Sequence, residues 1–186
     1  MLACALLAGG CALGARPAPA TFDLEAPRSI PGNGSTNIQF AVTEPTVVGA
    51  LNSERIVVRP APAAINYLSG AQWSDRAPKL VQARLIDSFR NSGRVRSVGM
   101  PGGAVVNDIG LVTDLHDFHV DTQQGVALVT IAVRIVGDQS GRVVASRTFT
   151  TSTPVAGNRA DDMVAAINAS FDKVATDIVV WTLDRI

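Results

Sequence analysis

The chain has 186 residues, of which 47% are apolar and 17% are charged, and its 16 basic side chains balance its 16 acidic ones. That length suits one domain with a sizeable core, and a formal net charge of zero argues against the basic surface of a nucleic-acid binder. No internal stretch has the roughly 20 consecutive apolar residues of a membrane-spanning helix.

The N-terminal segment MLACALLAGGCALGA is apolar and rich in small side chains, and a Pro/Ala tether, RPAPAT, follows it. It is too short to span a bilayer and is typical of the end of a secretory signal peptide. LLAGGC resembles a lipobox, at which bacterial lipoproteins are cleaved and acylated on the new N-terminal cysteine, although Ala8 stands where Leu is usual. We expect residues 1–10 to be a signal-peptide remnant and residues 11–20 to be a lipidated cysteine, Cys11, with its tether.

Cysteine usage fits the same expectation. Cys4 would leave with the leader and Cys11 would carry the lipid, so residues 21–186 would form a domain without cysteine. Such a domain holds neither a disulfide nor a thiolate metal site. The alternative is that both cysteines are small apolar side chains of an N-terminal segment.

In the first half of residues 21–186, the sequence predicts strands and one helix. The helix should run from Ala77 to Asn91, with Ser74 or Asp75 near its N-cap and Pro78 in its first turn. Strand patterns occupy residues 21–24, 36–48, 54–60 and 94–100. The proline-punctuated stretch PAPAAINYLSG, residues 60–70, is expected to be an extended connection.

The second half predicts three long strands and a second helix. The strand patterns cover residues 109–121, 125–138 and 141–153. The helix covers residues 159–183, and Asn158 with Asp161 resembles a capping box at its start. This order favours an α+β fold of a single domain, with an antiparallel-dominated sheet packed against two helices.

The segment DLHDFHVD, residues 114–121, contains both histidines of the chain. Alternation along a strand places Asp117, His119 and Asp121 on one face, and Asp114 with His116 on the other. The two histidines then cannot share a metal unless a bulge intervenes, so we expect a strand with a solvated polar face. Catalytic motifs such as G-x-S-x-G and H-E-x-x-H do not occur. We therefore expect no enzyme activity, no metal and no cofactor.

Tyr67 and Trp73 are conspicuous because aromatic residues make up only 5% of the chain. They could cover the junction between the sheet and the first helix. They could instead form an exposed aromatic patch for a partner. The residues themselves leave both interpretations open.

Residues 51–95 resemble the signature of the ABC-type transport auxiliary lipoprotein family, the PqiC-like proteins. The resemblance lies in RIVVR followed by a tyrosine, in A-x-W-x-D, and in the helix that leads to Ser92-Gly93. It identifies five residues as the family signature or a candidate partner-binding set: Arg59, Tyr67, Trp73, Asp75 and Pro78. The resemblance extends over about residues 20 to 183.

The resemblance implies a bacterial envelope lipoprotein on the periplasmic face, held by its acyl anchor, with the outer membrane favoured over the inner one. Its partners would be an Mce-domain periplasmic subunit or other components of a lipid-transport system, and it would act by protein–protein docking. Two alternatives stay open: a carrier module that binds lipid in an apolar groove, and a lipoprotein that assembles an outer-membrane complex.

Overall fold

The computed structural model describes residues 17–102 and 106–186. In these residues one mixed sheet and two helices form an α+β fold. The strands are β1 (Ala20–Phe22), β2 (Thr36–Val42), β3 (Thr46–Val47), β4 (Arg55–Ala61), β5 (Ala64–Trp73), β6 (Val95–Gly99), β7 (Ile109–Asp121), β8 (Val126–Gly137) and β9 (Val143–Pro154). The helices are α1 (Ala77–Asn91) and α2 (Ala160–Leu183).

Strand β7 is the centre of the sheet. Along one edge it pairs antiparallel with β8, which pairs antiparallel with β9. Along the other edge β2, β3 and β4 follow one another, each parallel to β7. β5 is antiparallel to β4, whereas β1 and β6 add short parallel pairings to β5 and β2. The long ladders are antiparallel, so the predicted character of the sheet is confirmed.

Both helices pack on the same face of the sheet, and aromatic pairs fill the space between the layers. Phe149 of β9 meets Trp181 of α2 with ring centroids 5.6 Å apart. Other aromatic pairs of this layer are Phe40 with Phe89 at 4.7 Å and Trp73 with Phe118 at 5.4 Å. Edge-to-face and tilted rings stabilise a core beyond the apolar area that they bury.

Helix α1 has the bounds that the sequence predicts, but its N-cap is Arg76 rather than Ser74 or Asp75. Helix α2 begins at Ala160, one residue later than predicted. The expected pairing of Asn158 with Asp161 is replaced there by the N–H of Arg159, which donates to Asp162 Oδ2 at 3.2 Å. Both N-caps differ from the predicted residues because backbone conformation decides which residue becomes the cap, and the sequence narrows that choice only to neighbouring residues.

Residues 60–70 differ from the prediction. They complete β4 and form most of β5, so the segment is a β-hairpin rather than an extended connection. The prolines did not prevent pairing, because Pro60 lies near the end of β4 and Pro62 lies in the turn. Consequently Tyr67 is a strand residue and not a loop residue.

Neither helix in the described part of the chain is sufficiently long and apolar to cross a bilayer.

We predict that Trp73→Ala destabilises the fold by about 3–5 kcal/mol, the usual cost of removing a buried large aromatic side chain. The side chain is only 1% exposed and stacks against Phe118, so its removal leaves a cavity at the sheet–helix junction. Urea unfolding followed by circular dichroism measures the change. The control is Val144→Ala, because Val144 is 60% exposed and its truncation should change the free energy of unfolding by less than about 0.5 kcal/mol. Equal small losses in both variants would contradict the buried role.

Candidate functional site

The five signature residues separate into two groups. Trp73, Asp75 and Pro78 lie where β5 leads into α1. Arg59 and Tyr67 lie on the neighbouring strands β4 and β5. The first group is a structural junction, and the second belongs to the open sheet face, by which we mean the face away from the helices.

Trp73 closes the junction from inside. Its ring is buried, and its backbone N–H donates to the carbonyl of Glu54 at 2.6 Å. The next N–H, that of Ser74, donates to the carbonyl of Phe22 at 2.7 Å. Trp73 therefore packs the fold and cannot belong to an exposed aromatic patch.

Asp75 and Pro78 shape the start of α1. The Asp75 carboxylate accepts hydrogen bonds from the backbone N–H of Arg76 at 2.7 Å and from Lys79 Nζ at 3.1 Å. The first of these bonds and then the second lower the pKa of Asp75. Pro78 is buried in the first turn, where a missing N–H costs no helical hydrogen bond. Asp75 thus supports the helix start from one position before the cap.

Arg76, the cap residue, ties the junction to the segment after β2. Its Nη2 lies 2.8 Å from Glu44 Oε1, and its Nη1 donates to Asn52 Oδ1. Exposed ion pairs of this kind add little stability individually. Their geometric effect is to link the start of α1 to the segments that carry Glu44 and Asn52.

Tyr67 lies on the open sheet face. The register pairs Tyr67 with Val57 and Gln72 with Arg55, and a register shift between these two pairs accompanies the approach of Arg55 to Tyr67. The Arg55 guanidinium carbon lies 3.5 Å from the centroid of the Tyr67 ring. A cation stacked on an aromatic face is attracted by the ring quadrupole. Tyr67 is half-buried and Arg55 exposed, so the pair presents a flat aromatic and cationic surface.

Arg59 lies farther along β4 on the same side. Its Nη1 donates to the carbonyl of Pro62 at 3.4 Å, and its register partner on β7 is Asp121. Among the described residues its buried Nε has no hydrogen-bond acceptor. A buried donor without an acceptor carries a desolvation cost. That nitrogen is shielded from solvent, so only the terminal nitrogens of the guanidinium can meet a group from outside without a rearrangement.

His119 borders this surface and is 4% exposed. Its register partners are Val57 on β4 and Leu128 on β8, so two apolar side chains flank it. Its Nδ1 lies 3.7 Å from Asp117 Oδ1. Burial lowers the pKa of His119 and Arg59 acts in the same direction, against the opposing effects of Asp117 and Asp121. The expected solvated polar face is wrong at this position.

A bulge at His116 changes the predicted face assignment. Asp114 pairs with Ala132 and Asp117 with Thr130, so His116 is the extra residue. Asp114 therefore shares a face with Asp117, contrary to the expected split. In the described residues no three His, Cys, Asp or Glu side chains come together as a metal site.

We call Arg55, Tyr67, Arg59 and His119, with the flanking Asp117, the open-face cluster. Sequence analysis missed Arg55 and His119 as its members. Their spacing in the chain is uninformative, since strand pairing brings them together. One signal in the sequence could have brought them together. The apolar alternation in β4 matches that in β7, the strand containing His119, and such a match favours pairing of the two strands.

A family model described as "ABC-type transport auxiliary lipoprotein component" matches residues 21–179. A curated relative, an uncharacterized protein of Bradyrhizobium diazoefficiens, is 33% identical over 168 residues, which are 88% of this chain. The chain spans only 44% of the length of that relative.

Solved structures show the same architecture. A Xanthomonas campestris protein of the DUF330 family has a TM-score of 0.81 at 25% identity, covering 89% of this chain and 96% of its own. A PelC dodecamer from Paraburkholderia phytofirmans has a TM-score of 0.50 at 12% identity, covering 78% of this chain and 90% of its own. The second likeness shows the fold alone.

We predict that His119 makes stability depend on pH. Its pKa is lower in the folded protein than the roughly 6.5 of an unfolded chain. The unfolded state therefore binds the proton more readily, and stability present above about pH 6.5 is lost as the pH falls below it. Urea midpoints between pH 8 and pH 5 should decline for the wild type and flatten for His119→Gln. The exposed His116→Gln is the control and should keep the wild-type decline; equal slopes in all three proteins would contradict the assignment.

Proposed function

The chain belongs to the family of ABC-type transport auxiliary lipoproteins, and on that premise we propose that it is an accessory subunit of an ABC/Mce-type lipid transport system. It acts by docking to a partner protein rather than by catalysis. The family is one of transport accessory proteins and not a class of enzymes. The observation that carries the docking mode is the Arg55–Tyr67 stack on the open sheet face.

The proposed anchor is an acyl group on Cys11, which lies outside the described residues. The family description of a lipoprotein indicates attachment to the cell envelope. In this proposal residues 1–10 are removed, residues 11–20 tether the domain, and residues 21–186 face the periplasm. Ala12, in place of an aspartate after the cysteine, supports sorting to the outer membrane over retention in the inner one.

The proposed docking surface is the open-face cluster. Tyr and Arg are enriched among the residues that dominate binding energy at protein interfaces. Tyr67 is held on a strand and has Arg55 stacked on it, so little conformational freedom is lost when a partner binds.

The proposed partner is the Mce-domain subunit of the transporter. The family resemblance supports this choice, and the shape of the surface suits it, because a rigid sheet face can bind a folded domain without rearranging. An outer-membrane assembly role would use the same surface with another partner. Identification of the captured protein separates these two.

A lipid-carrier role has less support. Aromatic pairs such as Trp73 with Phe118 fill the space between the sheet and the helices. The surface cleft between the segment after β1 and helix α2 is lined by Glu25, Arg28, Asp172 and Lys173 beside Ala26 and Ala169, so charged groups interrupt its apolar surface. Lipid-binding sites need contiguous apolar walls, so docking is the better-supported function.

We predict that Tyr67→Ala abolishes co-purification with the Mce-domain subunit while the protein remains folded. The half-buried ring lies on the open face, so its loss removes the docking anchor together with the platform for Arg55. Affinity capture of the tagged lipoprotein from membranes, followed by mass spectrometry, measures the effect. Thermal unfolding of the same preparation confirms the fold.

Two matched variants sharpen this test. Tyr67→Phe keeps the ring and should retain the partner, whereas Lys79→Ala alters an exposed residue of the structural junction and should have no effect. Undiminished capture by a folded Tyr67→Ala protein would overturn docking through this face. Capture of an outer-membrane protein in place of the transporter subunit would overturn the proposed partner.

A further inference from the structure

We propose that the tip of the β4–β5 hairpin lies on the phospholipid surface to which Cys11 is anchored, giving the domain a second, non-covalent membrane contact and a fixed orientation. The inference rests on the proposed function in one respect, the acyl anchor. The structural observation is the juxtaposition of three features: an exposed apolar turn, an arginine that has no carboxylate partner among the described residues, and the direction in which the chain enters the sheet.

The hairpin tip is apolar and projects beyond the central strand. β4 pairs with β7 as far as Arg59 opposite Asp121, and it then continues to Ala61, which pairs with Ala64 of β5. The tip therefore extends about 7 Å past the end of β7. Pro62 and Ala63 are exposed, and Ile65 is 41% exposed. Exposed apolar side chains on a projecting turn fit the boundary between headgroups and acyl chains.

Arg59 lies directly behind this tip. Its guanidinium donates to the carbonyl of Pro62, which draws it towards the turn. The ion pairs within 4.0 Å that the described residues form do not include Arg59. The nearby Asp121 uses Oδ1 to accept the N–H groups of Gln123 and Gln124. An arginine at headgroup depth with free donors suits a phosphate oxygen.

The entry of the chain fixes which end faces the membrane. β1 is parallel to β5, with Ala20 opposite Ala71, so residues 17–19 approach β1 from the side of the hairpin tip. From that entry point the tip is about 20 Å away, since Ala61 is six positions after Arg55 along β4. Ala20 is nine positions after Cys11, and that length of chain spans at most about 30 Å. The tether therefore reaches the plane of the tip.

The opposite end of the sheet lies beyond that reach. The opposite end is reached by following β7 from the level of β1 to Ile109 and then β2 and β6 to Thr36 and Val95. These two residues lie about 35 Å from the level of β1. The tether spans at most about 30 Å and starts towards the hairpin tip, so it cannot place Thr36 and Val95 on the bilayer. The exposed Val144 lies on the other side of the β1 level from the tip, about 20 Å along the sheet, because its neighbour Val143 pairs with Val136 and Val136 pairs with Gly110.

The test is the depth of a fluorescent probe in vesicles. Full-length lipidated protein carrying Ile65→Cys is labelled with the environment-sensitive dye NBD and reconstituted into vesicles of phosphatidylcholine and phosphatidylglycerol. We expect blue-shifted, stronger emission that headgroup-attached nitroxide lipids quench. Val144→Cys is the matched control, since it places the same dye on an exposed valine about 40 Å along the sheet from the tip, where the emission should stay that of the aqueous dye.

The labelling step separates failure of the anchor from failure of the orientation. Acylated Cys11 has no free thiol, so protein without an introduced cysteine should take no dye; labelling of Cys11 would overturn the anchor and this inference with it. If Cys11 is blocked and position 65 still shows aqueous emission, or position 144 is quenched instead, only the orientation is overturned. Adding Arg59→Gln to Ile65→Cys should reduce quenching on anionic vesicles, and unchanged quenching there would remove Arg59 from the contact.

Discussion

The fold depends on strand β7 being paired along both edges. β8 accompanies it along its length on one side, and β2, β3 and β4 succeed one another on the other. Because neighbouring strands lie on both of its edges, its backbone groups find partners within the sheet along much of its length, so it can be long and buried. Its position also determines the surroundings of His119, which lies between two neighbouring strands and not at an exposed edge.

This pairing places the two halves of the family signature in different environments. The chain passes from β4 beside β7 into β5, and β5 then delivers Trp73 against Phe118 beneath the sheet. Tyr67 precedes that turn inwards and stays on the outer side with Arg55. A contiguous signature in the sequence therefore serves folding at one end and leaves a rigid aromatic surface at the other. Rigid aromatic residues lose little conformational entropy on binding, which makes that surface suited to docking.

The sequence alone predicted the features that depend on residues close together in the chain. Helix α1 has the predicted bounds because the apolar spacing from Leu80 to Phe89 and the flanking Pro78 and Gly93 act within a few residues. The alternation in residues 125–138 likewise predicted strand β8, since its alternate side chains share one buried face. The family itself could be identified from its signature residues.

The sequence alone did not predict the features that depend on which strands pair and in which register. The hairpin of residues 60–70 forms because β4 is held against β7, which overrides the prolines of the turn. The bulge at His116 is visible only from the register with β8. Burial of His119 and the stacking of Arg55 on Tyr67 follow from those pairings, so the composition of the open-face cluster could not be derived from spacing along the chain.

The most direct test of the docking account is site-specific photocrosslinking in cells. The photoreactive amino acid p-benzoylphenylalanine replaces Tyr67 in one strain and Lys79 in another, which compares the open-face cluster with the exposed side of the structural junction. The account predicts a crosslink from position 67 to the Mce-domain subunit and none from position 79. A crosslink to that subunit from position 79 with none from position 67 would contradict it.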